Sequence, residues 1–418
     1  MTQTSSHFST SPSGRVGWGF IALYALAFMS TSLVLISPLL VTLALKLNSL
    51  VGPDEAPQAL SLVAAVGSLV AVLGNPFIGR LSDRTTSRWG MRRPWMVIGL
   101  VAGSLGVLVV ALAPSVLVVL VGWCVAQLFF NGLLAAMVAV LPDQVPAVQR
   151  GTVSGVLGVC LPVSSVSGTF LVQLFTGNDL AMFLAPCALG GLFILLFAVT
   201  LKDRRLHSAH RPAWSARELL GAFVIDLRRT PDFGWAFASR FLFVTAYAFL
   251  TTYQAYYLLN SVGSAEREVP RQIFLGTLAQ SGVLIVASVV CGRLSDRTGR
   301  RKAFVLAAST VYGCALFVIA ITNDFNGFLV GMAIGGLGFG AYLAVDLALV
   351  VDILPDGDNA ARDLGVFNYA GALPFSIAPA MAPVILAVGG GSYGVLYAVA
   401  GVCALIGAVC VLPIKAVR

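Results

Sequence analysis

The chain has 418 residues, of which 58% are hydrophobic and 11% are charged, whereas soluble domains have ~45–50% and ~25%. Nearly all of it falls into apolar runs of roughly 20 residues, the helix length needed to cross the ~30 Å hydrocarbon layer of a membrane. This composition excludes an ordinary soluble domain. It predicts an all-α integral membrane protein whose main partner is the lipid bilayer.

The placement of the basic residues explains the formal net charge of +8 without a nucleic-acid partner. If the odd-numbered loops are external, all but three of the 26 Lys and Arg residues lie on or near one membrane face; the exceptions are Lys46, Arg267 and Arg271. This bias follows the positive-inside rule and predicts that both termini are cytoplasmic. The polar start lacks the features of a cleaved signal peptide, so we expect a multi-pass protein of the cell (plasma or inner) membrane.

The first half is predicted to form six transmembrane helices over residues 17–201, after a cytoplasmic tail of residues 1–16. Span one carries Tyr24, and span four carries Gln127 and Asn131. Spans three and six are apolar on every face, which indicates contact with lipid.

Residues 202–233 form the longest polar stretch and are interpreted as a cytoplasmic linker between two halves. Within it, the apolar residues of Trp214–Leu227 recur at helical spacing between basic flanks. That pattern predicts an amphipathic helix lying on an anionic leaflet. A plain solvated linker has the same composition, so both interpretations stay open.

The second half is predicted to form six more helices over residues 234–414, followed by a short cytoplasmic tail, residues 415–418. Span seven opens with Arg240 and ends in a cluster that includes Tyr253, Gln254 and Tyr257. Span ten is rich in glycine and contains Tyr342 and Asp346. Its glycines are most simply explained by close approach of a neighbouring helix.

An internal repeat relates the two halves. The seven-residue stretch that begins at Gly79 recurs without change at Gly292, 213 residues later. Leu141-Pro142-Asp143 recurs as Leu354-Pro355-Asp356 at the same offset. Such repeats are typical of secondary transporters. The chain is therefore predicted to consist of two pseudo-symmetric six-helix bundles, twelve transmembrane helices in all.

At these residues the chain resembles the major facilitator superfamily of transporters. The superfamily's loop signature between spans two and three is matched in the second half by Gly292, Asp296, Arg297, Gly299, Arg300 and Arg301. The first half has a longer form, which begins at Asp83-Arg84-Thr85 and is similar to that of the glycoside–cation symporter and sucrose transporter group. Sucrose transporters of that group carry an acidic residue in span four, where this sequence has Asn131.

The resemblance implies the major facilitator fold, alternating access, and a central cavity lined by spans one, four, seven and ten. It also implies a cytoplasmic gate in which the loop arginines pair with carboxylates when that side closes. The same residues serve as topology-setting charge, which is the simpler interpretation. The gate set is Asp83, Arg84, Arg88, Arg92, Arg93, Asp143, Arg150, Asp296, Arg297, Arg300, Arg301, Asp356 and Arg362.

Very few ionisable residues lie away from the ends of the predicted spans; Arg240 and Asp346 do, at similar depth from the cytoplasmic face. Charges inside a membrane are costly and therefore mark functional sites. We interpret Asp346 as the proton-coupling carboxylate and Arg240 as its partner or as the anchor of the solute. A static ion pair between helices is the competing interpretation.

Polar and aromatic residues on the cavity helices are the candidates for solute binding, because hydroxyls and amides suit polyols and ring faces suit apolar sugar faces or drugs. Each of them also fits a role in helix packing. The set is Tyr24, Gln127, Asn131, Tyr253, Gln254, Tyr257 and Tyr342.

Other classes of function lack their motifs. None of the four lysines follows a glycine, so there is no phosphate-binding loop of an ATP-driven pump. The three histidines lie outside the spans and the seven cysteines lie within apolar runs, so no metal site is predicted. A non-transporting sensor on this scaffold stays open as an interpretation, although we expect no appended domain through which it could signal. We therefore expect neither an enzyme nor a bound cofactor.

The sequence favours a monomeric, proton-coupled symporter of a sugar or glycoside-like solute working by alternating access. The alternative is a proton-coupled exporter of a drug or metabolite, an antiporter, which the aromatic residues and the missing span-four acid support.

Overall fold

The computed structural model describes residues 15–206, 231–353 and 360–415, and within these ranges every regular element is helical. A five-residue π-helical segment, Pro38–Thr42, joins the first two helices. In chain order the α-helices are α1 (Trp18–Ser37), α2 (Leu43–Asp83), α3 (Arg93–Leu112), α4 (Val116–Gln144), α5 (Ala147–Leu174), α6 (Asp179–Thr200), α7 (Pro231–Asn260), α8 (Val269–Thr298), α9 (Arg301–Ile321), α10 (Phe325–Ile353), α11 (Ala360–Ala372), α12 (Pro374–Val388) and α13 (Tyr393–Val409).

Ten helical segments of the described ranges are long and apolar enough to cross a membrane, and α13 is a shorter apolar helix of 17 residues. Large apolar side chains are exposed along the outer faces of several helices, for example Leu112 on α3, Leu192 on α6 and Val384 on α12. Such surfaces need lipid around them. The chain is thus a multi-pass membrane protein.

The first of these segments runs for 66 residues, from Trp18 to Asp83, and covers the first two predicted spans. Its direction changes at Gly52, whose φ of 77° and ψ of 169° are non-helical. A positive φ is easily adopted only by glycine. Pro53 follows and cannot donate a backbone hydrogen bond. The sequence placed the first external loop at this point.

The helices pack as two groups. Helices α1 to α6 contact one another, α7 to α13 contact one another, and the groups meet mainly where α2 lies against α12 and where α5 lies against α8. In the second group α8 and α10 approach closely. A Cβ atom added at Gly336 or Gly340 would lie 2.3 Å from the carbonyl oxygens of Gln280 and Leu284 respectively. The glycines of span ten thus permit close helix approach.

Three predicted regions lie wholly or largely outside the described residues. The predicted amphipathic helix, Trp214–Leu227, lies entirely within the undescribed part of the linker. Most of the N-terminal tail and of the C-terminal tail also lies outside these ranges.

Span eleven, predicted as a single helix, is divided into α11 and α12 at Leu373. The division falls there because Pro374 lacks a backbone N–H.

Candidate functional site

A narrow cavity lies where the two helix groups meet. From the first group Leu40 follows α1, and Leu161, Pro162 and Ser165 belong to α5. The second group supplies Tyr247, Leu250, Thr251 and Gln254 from α7, Thr277, Gln280, Ser281 and Leu284 from α8, and Met332, Phe339 and Leu343 from α10. All of these lining side chains are uncharged. The cavity therefore offers amides, hydroxyls and ring faces to a solute.

The polar part of the cavity wall is built by α7 and α8. Gln254 donates a hydrogen bond from Nε2 to the Leu40 carbonyl, 3.4 Å away, and so reaches across to the first group. Gln280 is 7% exposed, and its Nε2 has no hydrogen-bond acceptor among the described residues. A buried amide without a partner is unusual in a folded protein. It makes Gln280 a candidate contact for a bound molecule.

The apolar part of the wall is aromatic. The rings of Tyr247 and Phe339 are 4.5 Å apart between centroids, and Phe375 lies edge-on to Tyr247 at 6.1 Å. Because α7 carries Tyr247 and α10 carries Phe339, this contact also holds the two helices together. The aromatic surface suits the apolar face of a ring-shaped solute.

The two intramembrane ionisable residues identified from the sequence are in direct contact. Arg240 Nη1 donates to Asp346 Oδ2 at 2.8 Å, and the side chains are 22% and 9% exposed respectively. Tyr342, one helical turn before Asp346, donates from its hydroxyl to Asp346 Oδ1 at 2.7 Å. The Arg240 guanidinium also lies 4.6 Å above the Phe367 ring. Helices α7, α10 and α11 together hold this charged group.

Stacked rings connect the ion pair with the cavity. Phe243 stacks on Tyr342 with centroids 3.8 Å apart and an angle of 6° between the planes. The same Phe243 ring lies 5.8 Å from Phe339, which lines the cavity. Tyr342 and the aromatic wall are therefore joined by one layer of packed rings.

The predicted solute residues of span seven hold helices together. Tyr253 hydrogen-bonds through its hydroxyl with Ser61 of α2, and Tyr257 donates to the Ile319 carbonyl at 2.9 Å. The neighbouring Tyr256 donates to the carbonyls of Ala44 and Ala56, both at 3.1 Å. The Tyr253 and Tyr256 bonds close the seam between α7 and α2 at the end of the molecule that carries Gly52, whereas the Tyr257 bond joins α7 to α9. Of the predicted set, Gln254 alone lines the cavity.

The predicted solute residues of the first half lie within that helix group. Tyr24 donates to the Met137 carbonyl at 2.9 Å, and its ring stacks on Phe197 with centroids 5.4 Å apart. Asn131 donates to Gln127 Oε1 at 3.0 Å along α4. These contacts fit the packing role that the sequence left open for each of them.

Six polar residues of the cavity were not among the predicted solute residues: Ser165, Tyr247, Thr251, Thr277, Gln280 and Ser281. A signal for three of them was present. Thr277, Gln280 and Ser281 recur at the i, i+3, i+4 spacing that places side chains on one helical face. A polar stripe on an otherwise apolar membrane helix indicates a face turned toward the protein interior.

Among the predicted gate residues, Arg92 is the centre of a network at the α3 start. Its side chain donates to Asp83 at 2.6 Å, to Asp143 at 2.9 Å and to Ser82 at 3.0 Å. Burial of the guanidinium opposes its charge, but the attraction of Asp143 and Asp83 outweighs this and raises the pKa of Arg92 above its ordinary value. Both carboxylates belong to the same helix group as Arg92. This network therefore braces the first group internally.

The other predicted gate residues take several positions. Arg93, Arg150 and Arg301 donate to the carbonyls of Val199, Val145 and Ala348 respectively. Arg84 has a partner as well. Asp356 and the Arg362 side chain lie outside the described residues. The remaining members of the set, Arg88, Asp296, Arg297 and Arg300, are exposed.

Asp203, the first acidic residue of the linker, caps α3 and was not identified from the sequence. One oxygen, Oδ2, accepts the backbone N–H groups of Arg92 and Arg93 at 2.7 and 3.0 Å. A carboxylate at a helix start is favoured by the helix dipole. Gly90, whose φ is 104°, leaves room for the Asp203 carboxylate, because a Cβ atom at position 90 would lie 2.2 Å from Asp203 Oδ2.

We expect Gly90→Ala to lower the free energy of unfolding by about 1–3 kcal/mol, because it combines an unfavourable φ with displacement of the Asp203 carboxylate. Thermal melting in detergent measures the change. Gly155→Ala on α5 is the matched control, since nothing lies within 4 Å of an added Cβ there. A Gly90→Ala protein that melts like the control would contradict this account of the α3 cap.

Comparison with known proteins places this geometry in context. A crystal structure of a mutant of the nucleoside transporter NupG superimposes with a TM-score of 0.76, covering 94% of this chain and 99% of that one, at 11% sequence identity. At that identity the likeness concerns the fold alone. An uncharacterized symporter of Synechocystis sp., sll1374, is 48% identical over 46 residues, which is 11% of this chain and 8% of that protein.

A family comparison extends over nearly the whole chain. The sequence model of the Major Facilitator Superfamily matches residues 19–267 and 270–417. The matched residues include both copies of the loop motif, all of the cavity residues and the Arg240–Asp346 pair. The chain therefore belongs to the Major Facilitator Superfamily and is a membrane transporter.

Proposed function

We propose that this transporter carries a sugar or glycoside-like solute together with protons and works by alternating access. In this proposal the chain crosses the membrane twelve times as two pseudo-symmetric six-helix bundles with cytoplasmic termini. Support comes from the two helix groups, from the kink at Gly52 that divides the 66-residue helical segment, and from the repeated loop motif.

The observation that carries the proposal is the position of a titratable ion pair one aromatic layer from an uncharged cavity. Asp346 is held by Arg240 and Tyr342, and Phe243 packs between Tyr342 and the cavity wall. A proton that binds Asp346 removes its attraction for Arg240. The guanidinium is then left without its counter-charge in a low-dielectric setting, which favours a rearrangement of α7 against α10.

The contacts at the Gly52 end support a specific place for this state in the cycle. Tyr253 and Tyr256 connect α7 with the first helix group there. In the proposed orientation that end is external, so we interpret this arrangement as a state closed to the outside. Loss of these bonds through movement of α7 would open the cavity to the external solution.

The second candidate function is proton-coupled export of a drug or metabolite. Asn131 stands where sucrose transporters of the resembling group carry an acid, and the cavity wall formed by Tyr247 and Phe339 would suit an aromatic cargo. The same ion pair would then exchange its proton against the cargo. Symport and antiport differ in the direction in which a proton gradient drives the solute.

Purified protein in proteoliposomes tests the proposal directly. An imposed pH gradient, acidic outside and neutral inside, is expected to drive radiolabelled sucrose into right-side-out vesicles until its internal concentration exceeds the external one. Collapse of the gradient with a protonophore should abolish accumulation. Accumulation only under the reversed gradient would support the antiporter instead. A sucrose flux that is the same under either pH gradient would refute proton coupling.

A further inference from the structure

The side chain of Gln280 has a feature that the transport proposal does not use. It is 7% exposed and lines the cavity, yet its amide nitrogen Nε2 has no acceptor within the described part of the chain. The other amide of the wall, Gln254, is bonded to Leu40. Burying an unpaired donor costs free energy, so its retention in the wall points to a partner that arrives from outside the protein.

The surroundings of Gln280 indicate the polarity of that partner. Thr277 and Ser281 lie on the same face of α8, while Thr251 and Gln254 face the cavity from α7. Each hydroxyl can both donate and accept, and each amide has one group for either role. Such a wall matches a solute with several hydroxyl groups, because every hydroxyl of the solute also needs a donor and an acceptor.

Charge gives a second criterion. The side chains that line the cavity in the described ranges are uncharged. The nearby Asp346 and Arg240 neutralise each other at 2.8 Å. A charged solute would lose its hydration here without gaining a counter-ion, which is costly. This wall therefore favours an uncharged solute.

We propose that Gln280 Nε2 donates a hydrogen bond to the transported solute, and that this solute is an uncharged ring compound with several hydroxyl groups and one apolar face. The Tyr247–Phe339 surface receives the apolar face. A neutral sugar and a nucleoside share this chemistry. The inference rests on the proposed transport function for its setting, but not on proton coupling.

The experiment uses counterflow in proteoliposomes with equal pH on both sides, so that solute recognition is measured without a proton gradient. Radiolabelled sucrose and uridine are the two probes that distinguish the sources, and gluconate is the charged probe. We expect counterflow of sucrose or of uridine and none of gluconate. Counterflow of gluconate alone, or of none of the three, overturns the solute class. A failure of proton-driven uptake with intact counterflow would instead count against the coupling proposal.

The variant Gln280→Leu removes the amide and keeps the approximate size of the side chain. We expect the half-saturating concentration of the transported probe to rise about three- to tenfold, the loss of one neutral hydrogen bond. The melting temperature of the protein without solute should stay equal or rise, because an unpaired buried donor is lost. If the Gln280 amide instead made a purely structural hydrogen bond, Gln280→Leu would lower the melting temperature and leave the half-saturating concentration unchanged.

Gln272→Leu is the matched control. Gln272 lies on the same helix and also has a buried amide atom without a partner among the described residues, Oε1, but it does not line the cavity. For Gln272→Leu, the half-saturating concentration of the transported probe should equal that of the wild type. An equal affinity loss in both variants, or an unchanged affinity in Gln280→Leu, would overturn the assignment of Gln280.

Discussion

Asp346→Asn is expected to abolish proton-driven accumulation while solute counterflow at equal pH continues. Asparagine has nearly the shape of aspartate and keeps an oxygen for the Tyr342 hydroxyl, which now donates at 2.7 Å. It carries no titratable group, so the protein can no longer bind a proton at this position. Without that proton a pH gradient performs no work on the carrier, and the accumulation ratio of the solute falls from well above one to one.

Accumulation of labelled solute under an imposed pH gradient, followed by counterflow in the same preparation, separates these two results. Asp324→Asn provides the control, because Asp324 is an exposed carboxylate at the start of the same helix, where its Oδ1 accepts the Gly327 N–H at 3.2 Å. That variant should accumulate solute like the wild type. Accumulation that persists in Asp346→Asn would remove Asp346 from the coupling mechanism, and the static ion pair would become the better explanation.

The Arg240–Asp346 contact was predictable from the sequence because charge is so rare in its surroundings. Arg240 and Asp346 were among the very few ionisable residues away from the ends of the predicted spans, at similar depth, and the cost of leaving either one unpaired favours contact. The overall helical architecture followed from equally strong signals, namely the length of the apolar runs and the repeated loop motif.

The role of Tyr342 was not predicted, although a local signal existed. It was grouped with the solute residues, whereas the structure gives its hydroxyl to Asp346. The two residues are four positions apart, the spacing at which helical side chains meet. The aromatic stack from Tyr342 through Phe243 to Phe339 joins α7 to α10, and no local pattern reveals a contact between distant helices.

The Arg92 network shows a second limit of prediction from the sequence. Charge pairing between the loop arginines and Asp143 was expected on closure of the cytoplasmic side, and Arg92 does contact Asp143 at 2.9 Å. The sequence cannot distinguish a bond within one helix group from a bond between groups, because both satisfy the same charges. Asp203 was missed for a related reason: its cap on α3 depends on where the chain returns after α6.

Arg240→Met is expected to have the largest effect on stability of any single substitution considered for this protein. Methionine retains the apolar contact with the Phe367 ring, which now lies 4.6 Å from the guanidinium, but it leaves Asp346 without its counter-charge. Asp346 is 9% exposed, so water cannot replace the lost partner. Removing one member of a buried ion pair typically costs about 3–5 kcal/mol. Thermal melting in detergent should show a large drop in melting temperature.

The double variant Arg240→Met with Asp346→Asn separates the charge effect from lost packing. Because neither residue is then charged, most of the stability lost in Arg240→Met should return, while proton-driven accumulation stays absent. If the double variant melts as low as Arg240→Met, the loss arises from packing around Phe367 instead of from an unpaired carboxylate. In that event the attraction between Arg240 and Asp346 would add nothing to the free energy of unfolding. Protonation of Asp346 could then release no such energy, and the proposed coupling between Asp346 and the movement of α7 would fail.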